Sequence, residues 1–202
     1  MSFTLDNLAA TLIGGVLLLI LIALQFRAQQ ANQDRAALYT AKKQTLSFAD
    51  VLVRDFSNLG VEMPRHRRIG RHSVNADGLT DTLRFSRVDT FGDTLNIEYR
   101  LVAADSIVRH DSTTILYQIE RYENGVFTGG STPTMRSFTI ELLDEGGGLV
   151  TVDLRQARQV RIGFVNVLPY GDPDDHYIPS TYWGTTLRPR SLNPHIQANS
   201  EL

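Results

Sequence analysis

The feature that most constrains this chain is a long stretch without charge near its N-terminus. None of the twenty residues from Asn7 to Phe26 is charged, and leucine, isoleucine, valine and alanine make up most of them. As an α-helix that rises about 1.5 Å per residue, such a stretch is about 30 Å long, which matches the hydrocarbon core of a bilayer. The sequence therefore predicts a membrane-spanning helix within residues 1–26.

Two other structures are compatible with an apolar N-terminal stretch, a cleaved signal peptide and a buried core helix. A signal peptide has a basic start and small residues at its cleavage site, whereas no Lys or Arg precedes this stretch, and Gln25, Phe26 and Arg27 end it. A buried helix usually keeps a polar face, whereas residues 8–24 hold only Thr11 and two glycines besides apolar residues. Both comparisons favour a retained membrane segment.

The helical pattern continues beyond the apolar stretch as an amphipathic segment. Neither proline nor glycine occurs from Gln25 to Leu59, and Gly60 followed by Pro64 is typical of a helix end. Apolar or small residues recur at spacings of three or four and form one stripe: Leu38, Ala41, Thr45, Phe48, Leu52, Phe56 and Leu59. This stripe predicts that residues 27–60 continue the helix and pack on a domain.

After Gly60 the pattern changes to the alternation that is typical of β-strands. Five segments alternate apolar and polar residues and are rich in β-branched and aromatic types: TLRFSRVD, TLNIEYRLV, TILYQIERY, SFTIELLD and QVRIGFVNVL. In the third of them Ile115, Tyr117 and Ile119 share one face, and the Asn124-Gly125 pair that follows predicts a hairpin turn. Alternation with polar residues favours antiparallel strands with one face in water.

These patterns together predict an α+β fold, in which a long N-terminal helix, first membrane-spanning and then amphipathic, packs on an antiparallel β-sheet domain. That domain covers residues 61–202. Five of the seven prolines fall between positions 169 and 194, which predicts an irregular C-terminal loop.

Composition argues against several classes of function. The chain has no cysteine, which removes disulfides, thiol nucleophiles and cysteine-bound metals, and its net charge of −2 gives no basic excess for nucleic acid. Its five histidines are scattered without a metal-site spacing, and the glycines at 146–148 are not followed by a phosphate-loop lysine. The sequence therefore predicts a protein that is not an enzyme and needs no cofactor.

The segment FTLDNLAATLIGGVLLLILIAL at residues 3–24, with the sheet that follows it, resembles the type IV pilins and the type II secretion pseudopilins. LRFSRVD, LNIEYRLV, LYQIERYENG and YWGTTLRPRSL are similar to a minor pseudopilin of the J class. The resemblance implies a structural subunit that assembles through its apolar helix into a filament or pseudopilus. It implies a single-pass protein of the inner (cytoplasmic) membrane with a periplasmic or extracellular C-terminal domain, whose partners are the bilayer and similar subunits.

The resemblance also implies residues for assembly. Members of the family begin their mature chain with Phe-Thr-Leu, which corresponds to Phe3, and an acidic residue that follows is thought to pair with a neighbouring subunit's terminal amine. Asp6 is the candidate for that role, although the family's glutamate position corresponds to Asn7. The alternative is an interfacial carboxylate that faces water. Gly14 and Gly15 either allow close helix approach or are simply tolerated in a membrane helix.

The cations after the apolar stretch bear on orientation. They are Arg27, Arg35, Lys42 and Lys43, and no Lys or Arg precedes the stretch. The positive-inside rule would place the large domain in the cytoplasm, whereas the family resemblance places it outside. We expect the outside arrangement.

Two further clusters are candidate binding sites. Arg65, Arg67, Arg68 and Arg71 are close in sequence, with His66 and His72 between and beside them, and they suit an acidic partner or anionic lipid headgroups, or else form a solvated loop. Asp172, Asp174 and Asp175 suit a hard cation such as calcium, although their spacing departs from the EF-hand template.

Two functions from different classes follow from these features. The first is the pilin-like structural subunit. The second is a single-span accessory subunit of a large membrane protein complex, with an extracytoplasmic β domain and no filament. A ligand-binding domain on a membrane anchor is a third.

Overall fold

The computed structural model describes residues 2–109, 112–168 and 178–193, and for residues 2–7, 9 and 109 it describes the backbone alone. The chain divides into two compact units, residues 1–41 and residues 42–202. The first helix, α1, is Ser2–Ser57, so that it provides all the described residues of the first unit and the opening segment of the second.

In the first unit, α1 is exposed along most of its length. Every described residue from Leu8 to Ala36 is exposed. The sequence explains why the segment is nevertheless helical. Leucine, alanine, arginine and glutamine are strong helix formers, and α1 contains no proline.

In the second unit, α1 packs on a β-sheet through the predicted apolar stripe. Thr45, Phe48, Leu52 and Phe56 are buried, and Leu59 just beyond the helix is buried with them. Aromatic rings make part of this contact: Phe48 lies 5.8 Å from Phe164 between ring centroids, and Phe56 lies 5.2 Å from Phe85 and 5.7 Å from Tyr99. Each large apolar side chain buried in this way contributes about 1.5–3 kcal/mol.

The helix ends at Ser57, slightly before the predicted end. Asn58 still donates its backbone N–H to the carbonyl oxygen of Arg54, four positions back, at 3.3 Å, and its side-chain amide donates to the same oxygen at 2.9 Å. The last turn then tightens, because the N–H of Leu59 donates to the carbonyl oxygen of Phe56, three positions back, at 3.2 Å. Gly60 then adopts a φ of 70° and donates its N–H to the carbonyl oxygen of Ser86 at 3.0 Å. The left-handed conformation of Gly60, which favours glycine, reverses the chain onto the sheet.

A short helix and eight strands follow α1. The short helix, α2, is Arg65–Arg68. The strands are β1 Ile69–Val74, β2 Thr80–Val88, β3 Thr94–Arg109, β4 Ser112–Glu123, β5 Val126–Gly130, β6 Met135–Leu143, β7 Gln159–Val167 and β8 Ser180–Leu187. All neighbouring strands are antiparallel. The chain is therefore α+β, as predicted, with its N-terminal helix packed on an eight-stranded antiparallel sheet.

The strand order is β1-β2-β3-β4-β6-β7-β8, and β5 pairs with β4 beside this path. The predicted hairpin turn joins β4 to β5, with Asn124 at a φ of 48° and Gly125 at 82°, which is the backbone that an Asn-Gly turn provides. Strands β2 and β6 are not neighbours in this order but contact each other, since the Thr80 hydroxyl in β2 accepts from the N–H of Ile140 in β6 at 2.7 Å.

The alternation that predicted the strands also separates the core from the surface. Ile97 and Tyr99 of β3 and Ile119 of β4 are buried, whereas Ile115, on the same face as Ile119, lies beyond the core and is 49% exposed. Beyond Arg100, strand β3 has no pairing with β2, so the ends of β3 and β4 form a two-stranded extension.

The stretch predicted to be an irregular C-terminal loop contains the strand β8. It pairs with β7 from Ser180 to Leu187, and Trp183 stacks on Phe164 with ring centroids 5.1 Å apart. Prolines 179 and 189 flank the strand rather than interrupt it, which suits a residue that has no N–H to give to a sheet.

Candidate membrane and assembly surfaces

The apolar surface of α1 is the largest feature of the first unit. Twelve large apolar side chains between positions 8 and 26 are exposed: Leu8, Leu12, Ile13, Val16, Leu17, Leu18, Leu19, Ile20, Leu21, Ile22, Leu24 and Phe26. Among the described residues, α1 is the one helix that is long and apolar enough to cross a membrane. Because apolar side chains that surround a helix on all sides are unfavourable in water, this surface requires lipid or other apolar partners.

Gly14 and Gly15 lie within this surface. A Cβ added to either glycine would meet nothing within 4 Å, so neither is needed for packing inside the described chain. Glycine costs about 1 kcal/mol relative to alanine in a helix interior, and a pair of small residues leaves room for another helix to approach.

Several predicted residues lie outside the described part of the structure. The side chains of Phe3 and Asp6, the candidates for assembly, are not among the described side chains, and neither are the candidate calcium ligands Asp172, Asp174 and Asp175. Within the described residues, no group of three or more His, Asp or Glu side chains is placed to hold a metal ion.

The structure separates the four arginines of the predicted basic cluster. Arg68 is turned inward, where its Nε donates to the carbonyl oxygen of Met63 at 2.8 Å and its Nη1 donates to that of Ser191. Arg65 and Arg67 are exposed on α2, and Arg71 is exposed on β1. The cluster is thus not one solvated loop, because Arg68 joins Met63, which precedes α2, to Ser191, which follows β8.

A buried ionic cluster fixes α1 to the sheet. Asp55 of α1 is 1% exposed, and its Oδ2 accepts from the Tyr99 hydroxyl at 2.6 Å and from Arg121 Nε at 2.5 Å. Arg121, which is 7% exposed, also contacts Glu123 Oε1 through Nη2 at 2.6 Å and donates to Thr128 Oγ1 through Nη1 at 2.8 Å. Helix α1 is thereby bound to strands β3, β4 and β5.

The protonation of this cluster follows from its burial and its charges. Burial raises the pKa of Tyr99 well above its ordinary value, and the nearby Asp55 charge adds to the effect. Burial alone would lower the pKa of Arg121, but hydrogen bonds to Asp55 and Glu123 outweigh it, and the pKa is raised. Tyr99 therefore stays neutral and Arg121 stays charged.

A groove of about 490 Å³ lies in the second unit, between α1 and the end of the β4–β5 hairpin. Phe48, Val51 and Met135 give it apolar walls, and Lys43 and Arg54 add positive charge. Its polar groups also include Asn166, which is buried and whose Oδ1 has no partner in the part of the chain that the structure describes. The groove is a candidate contact surface for another protein segment.

Comparisons of the chain with protein-family models, with curated proteins and with solved structures gave no match. The candidate surfaces are therefore interpreted from their own geometry.

Sequence reasoning missed Asp55 and Arg121 as a pair. One signal for Asp55 was present, since it lies between Leu52 and Phe56 on the apolar stripe of the helix, where a charge has to be paired when it is buried. No local pattern pointed to Arg121. The same holds for Arg158, which the fold brings near Arg65.

Proposed function

We propose that this chain is a pilin-like or pseudopilin-like structural subunit that catalyses no reaction and assembles with similar subunits through its apolar helix. The observation that carries the proposal is the exposed apolar surface from Leu8 to Phe26 on the same helix, α1, that the Asp55–Arg121 pair fixes to a β-sheet. A subunit of this kind needs an apolar segment that inserts into lipid or packs on other subunits, and a folded domain that is attached to that segment.

The geometry supports assembly in two ways. Gly14 and Gly15 are free of packing within the described chain, so that a second helix has room there. The buried ion pair resists separation of α1 from the sheet, because removing either partner leaves a charge in a low-dielectric site. The part of α1 that carries Asp55 is therefore held against the sheet.

The proposed location is the inner (cytoplasmic) membrane, crossed once, with the sheet domain on the outer side. The proposed partners are the bilayer and similar subunits. The length and composition of α1 support the crossing, and the side on which the domain lies follows from the family resemblance. Protease treatment of intact cells tests the side: digestion of the domain supports the proposal, and its protection places the domain in the cytoplasm.

Cross-linking through introduced cysteines tests the assembly, since the chain contains none of its own. A double variant, Leu12→Cys with Leu24→Cys, places two thiols on the apolar surface. Oxidation in native membranes should give a ladder of trimers and larger products, because head-to-tail contacts repeat whereas a twofold contact stops at a dimer. The control, Phe91→Cys with Val152→Cys, places two thiols on highly exposed residues of the sheet domain.

Each outcome of the cross-linking favours one function. A ladder from the helix variant, absent in the control, supports a filament subunit. A single product of the helix variant with another protein favours the accessory subunit of a membrane complex. If the wild-type chain remains in the aqueous fraction when membranes are removed, both functions are wrong.

A further inference from the structure

A recess with an unusual charge lies on the second unit, away from the groove described above. Its walls are α2 and the short 3-10 turn at Leu154–Gln156, and its volume is about 540 Å³. The residues that line it come from two segments about ninety positions apart: Arg65, His66, Asp153, Arg155, Gln156 and Arg158. Only Arg65 among the four arginines of the predicted basic cluster lines this recess.

Positive charge in the recess exceeds negative charge. Three arginines line the recess, and Arg68 lies close behind them. Among the described residues that line it, the single negative charge is that of Asp153, so the recess has an excess of three positive charges. Asp153 is already engaged, because its Oδ1 accepts from Arg155 Nε at 2.9 Å and from the backbone N–H of Arg155 at 3.2 Å. The remaining guanidinium groups have no anion of their own in the described residues.

The effect of these neighbouring cations on one another is seen in the pKa of Arg68. Burial lowers the pKa of Arg68, and the positive charges of Arg65 and Arg158 lower it further. Like charges that converge on one concave surface raise the local electrostatic potential, which attracts an anion.

The donors in the recess are held in place. Arg158 Nη1 donates to the carbonyl oxygens of Arg155 at 3.0 Å and of Ala157 at 2.8 Å, and Arg155 is fixed by Asp153. The Arg65 and His66 side chains make no hydrogen bond or ion pair with the described residues. A ligand would thus meet two oriented arginines and two side chains that are free to close on it.

We propose that this recess binds a doubly charged phosphate group. A phosphate monoester carries a charge of about −1.5 to −2 and three strong acceptor oxygens, and guanidinium groups match such oxygens with paired hydrogen bonds. A single carboxylate carries less charge than the excess in the recess. The volume is far larger than the ~10–15 Å³ that one water molecule needs by the same measure, so the recess has room for a phosphate and part of the molecule that carries it.

The phosphate can belong to a lipid headgroup or to a soluble molecule, and calorimetry distinguishes the two. The full-length chain in uncharged detergent is titrated at constant ionic strength with inorganic phosphate, with dioctanoyl phosphatidic acid and with dioctanoyl phosphatidylcholine. Both phosphate and phosphatidic acid should bind, and phosphatidylcholine should bind at least tenfold more weakly than phosphatidic acid. Tighter binding of phosphatidic acid than of phosphate supports a headgroup, and equal binding supports a soluble phosphate.

A matched pair of double variants separates the recess from general electrostatics. Arg65→Gln with Arg158→Gln should weaken phosphate binding at least tenfold. Arg67→Gln with Arg71→Gln removes the same charge from two exposed residues outside the recess and should weaken it less than threefold. If the first variant melts early because Arg158 also bonds to the backbone, Arg65→Gln alone should still weaken binding at least threefold.

Three results would overturn the proposal. They are a wild-type chain that binds neither phosphate nor phosphatidic acid, equal binding of phosphatidylcholine and phosphatidic acid, and equal loss of affinity in the two double variants. Binding of phosphate is measured without any assembly, so a negative result here leaves the cross-linking ladder of the proposed function unaffected.

Discussion

Asp55 and Arg121 form a buried ion pair, with 2.5 Å between Asp55 Oδ2 and Arg121 Nε, across 66 positions of sequence. Asp55 lies near the end of α1 and Arg121 lies in β4. The pair lies in a mostly apolar interface between α1 and the sheet, in which Phe56 packs against Tyr99. It therefore joins this part of the helix to strand β4.

Replacing Arg121 by methionine should destabilise the second unit strongly. The change leaves the buried carboxylate of Asp55 with Tyr99 as its remaining hydrogen-bond donor, and breaking a buried ion pair in this way costs about 3–5 kcal/mol. Urea unfolding of the full-length chain in mild detergent measures the free energy, with the fluorescence of Trp183, the single tryptophan, as the signal.

Two further variants define what the Arg121 result means. Arg161→Gln breaks an exposed pair with Glu141 and should cost less than about 1 kcal/mol. Asp55→Leu combined with Arg121→Met removes both charges and should recover part of the loss, since the uncompensated carboxylate is gone. Equal losses for Arg121→Met and Arg161→Gln would show that the buried pair contributes nothing special.

Local periodicity explains how much of the fold could be predicted. Phe48, Leu52 and Phe56 repeat at helical spacing, and Ile97 and Tyr99 repeat at strand spacing, so both core faces were predictable before any contact was known. Such patterns indicate only which face of a helix or strand is apolar. They do not indicate which other helix or strand that face packs against.

Pairings between distant residues account for what the sequence could not predict. The chain has twenty Lys and Arg residues, and nothing local marks Arg121 as the partner of Asp55 or Arg158 as a neighbour of Arg65. The strand β8 was missed for a different reason. Pro179 and Pro189 on either side of it are typical of a loop, and only the structure shows that they lie at the two ends of the strand and not within it.

Replacing Gly60 by alanine should destabilise the protein by more than the same change at Gly78. Both glycines have a left-handed φ, 70° and 78°, which costs an alanine about 1–2 kcal/mol. At Gly60 the added Cβ would also approach the Arg68 side chain to 2.7 Å, whereas at Gly78 it would meet nothing within 4 Å. The difference between the two unfolding free energies therefore isolates the contact with Arg68, and equal losses would contradict it.

Stability should fall as the pH drops below about 6.5, the ordinary pKa of histidine, in a way that depends on His72. Burial lowers the pKa of His72 in the folded protein, although a hydrogen bond with the Ile140 backbone partly opposes this. The unfolded chain then binds the proton more readily than the folded chain, so that the stabilising contribution is complete above the ordinary pKa and is lost as the pH falls towards the lowered one.

The variant His72→Gln tests this dependence. Unfolding free energies at pH 7.5 and pH 5.5 should differ less in His72→Gln than in the wild type. His72 lines a small cavity of about 200 Å³, and the one charged residue among the described residues that lines it with His72, Glu141, is engaged by Arg161 Nη1 at 2.9 Å. An unchanged difference in His72→Gln would assign the pH effect to other groups.

Replacing Gly14 and Gly15 together by leucine should weaken assembly without weakening membrane insertion. Leucine has a higher helix propensity than glycine and is more apolar, so the helix itself should insert at least as well. Two added isobutyl groups would, however, keep a neighbouring helix from approaching closely.

In the Leu12→Cys, Leu24→Cys background we expect the yield of trimers and larger products to fall at least fivefold. Ala23→Leu adds the same kind of side chain on the opposite side of the helix from Gly14 and should leave the ladder in place. An intact ladder in the Gly14→Leu, Gly15→Leu variant would mean that the helices meet elsewhere on the apolar surface.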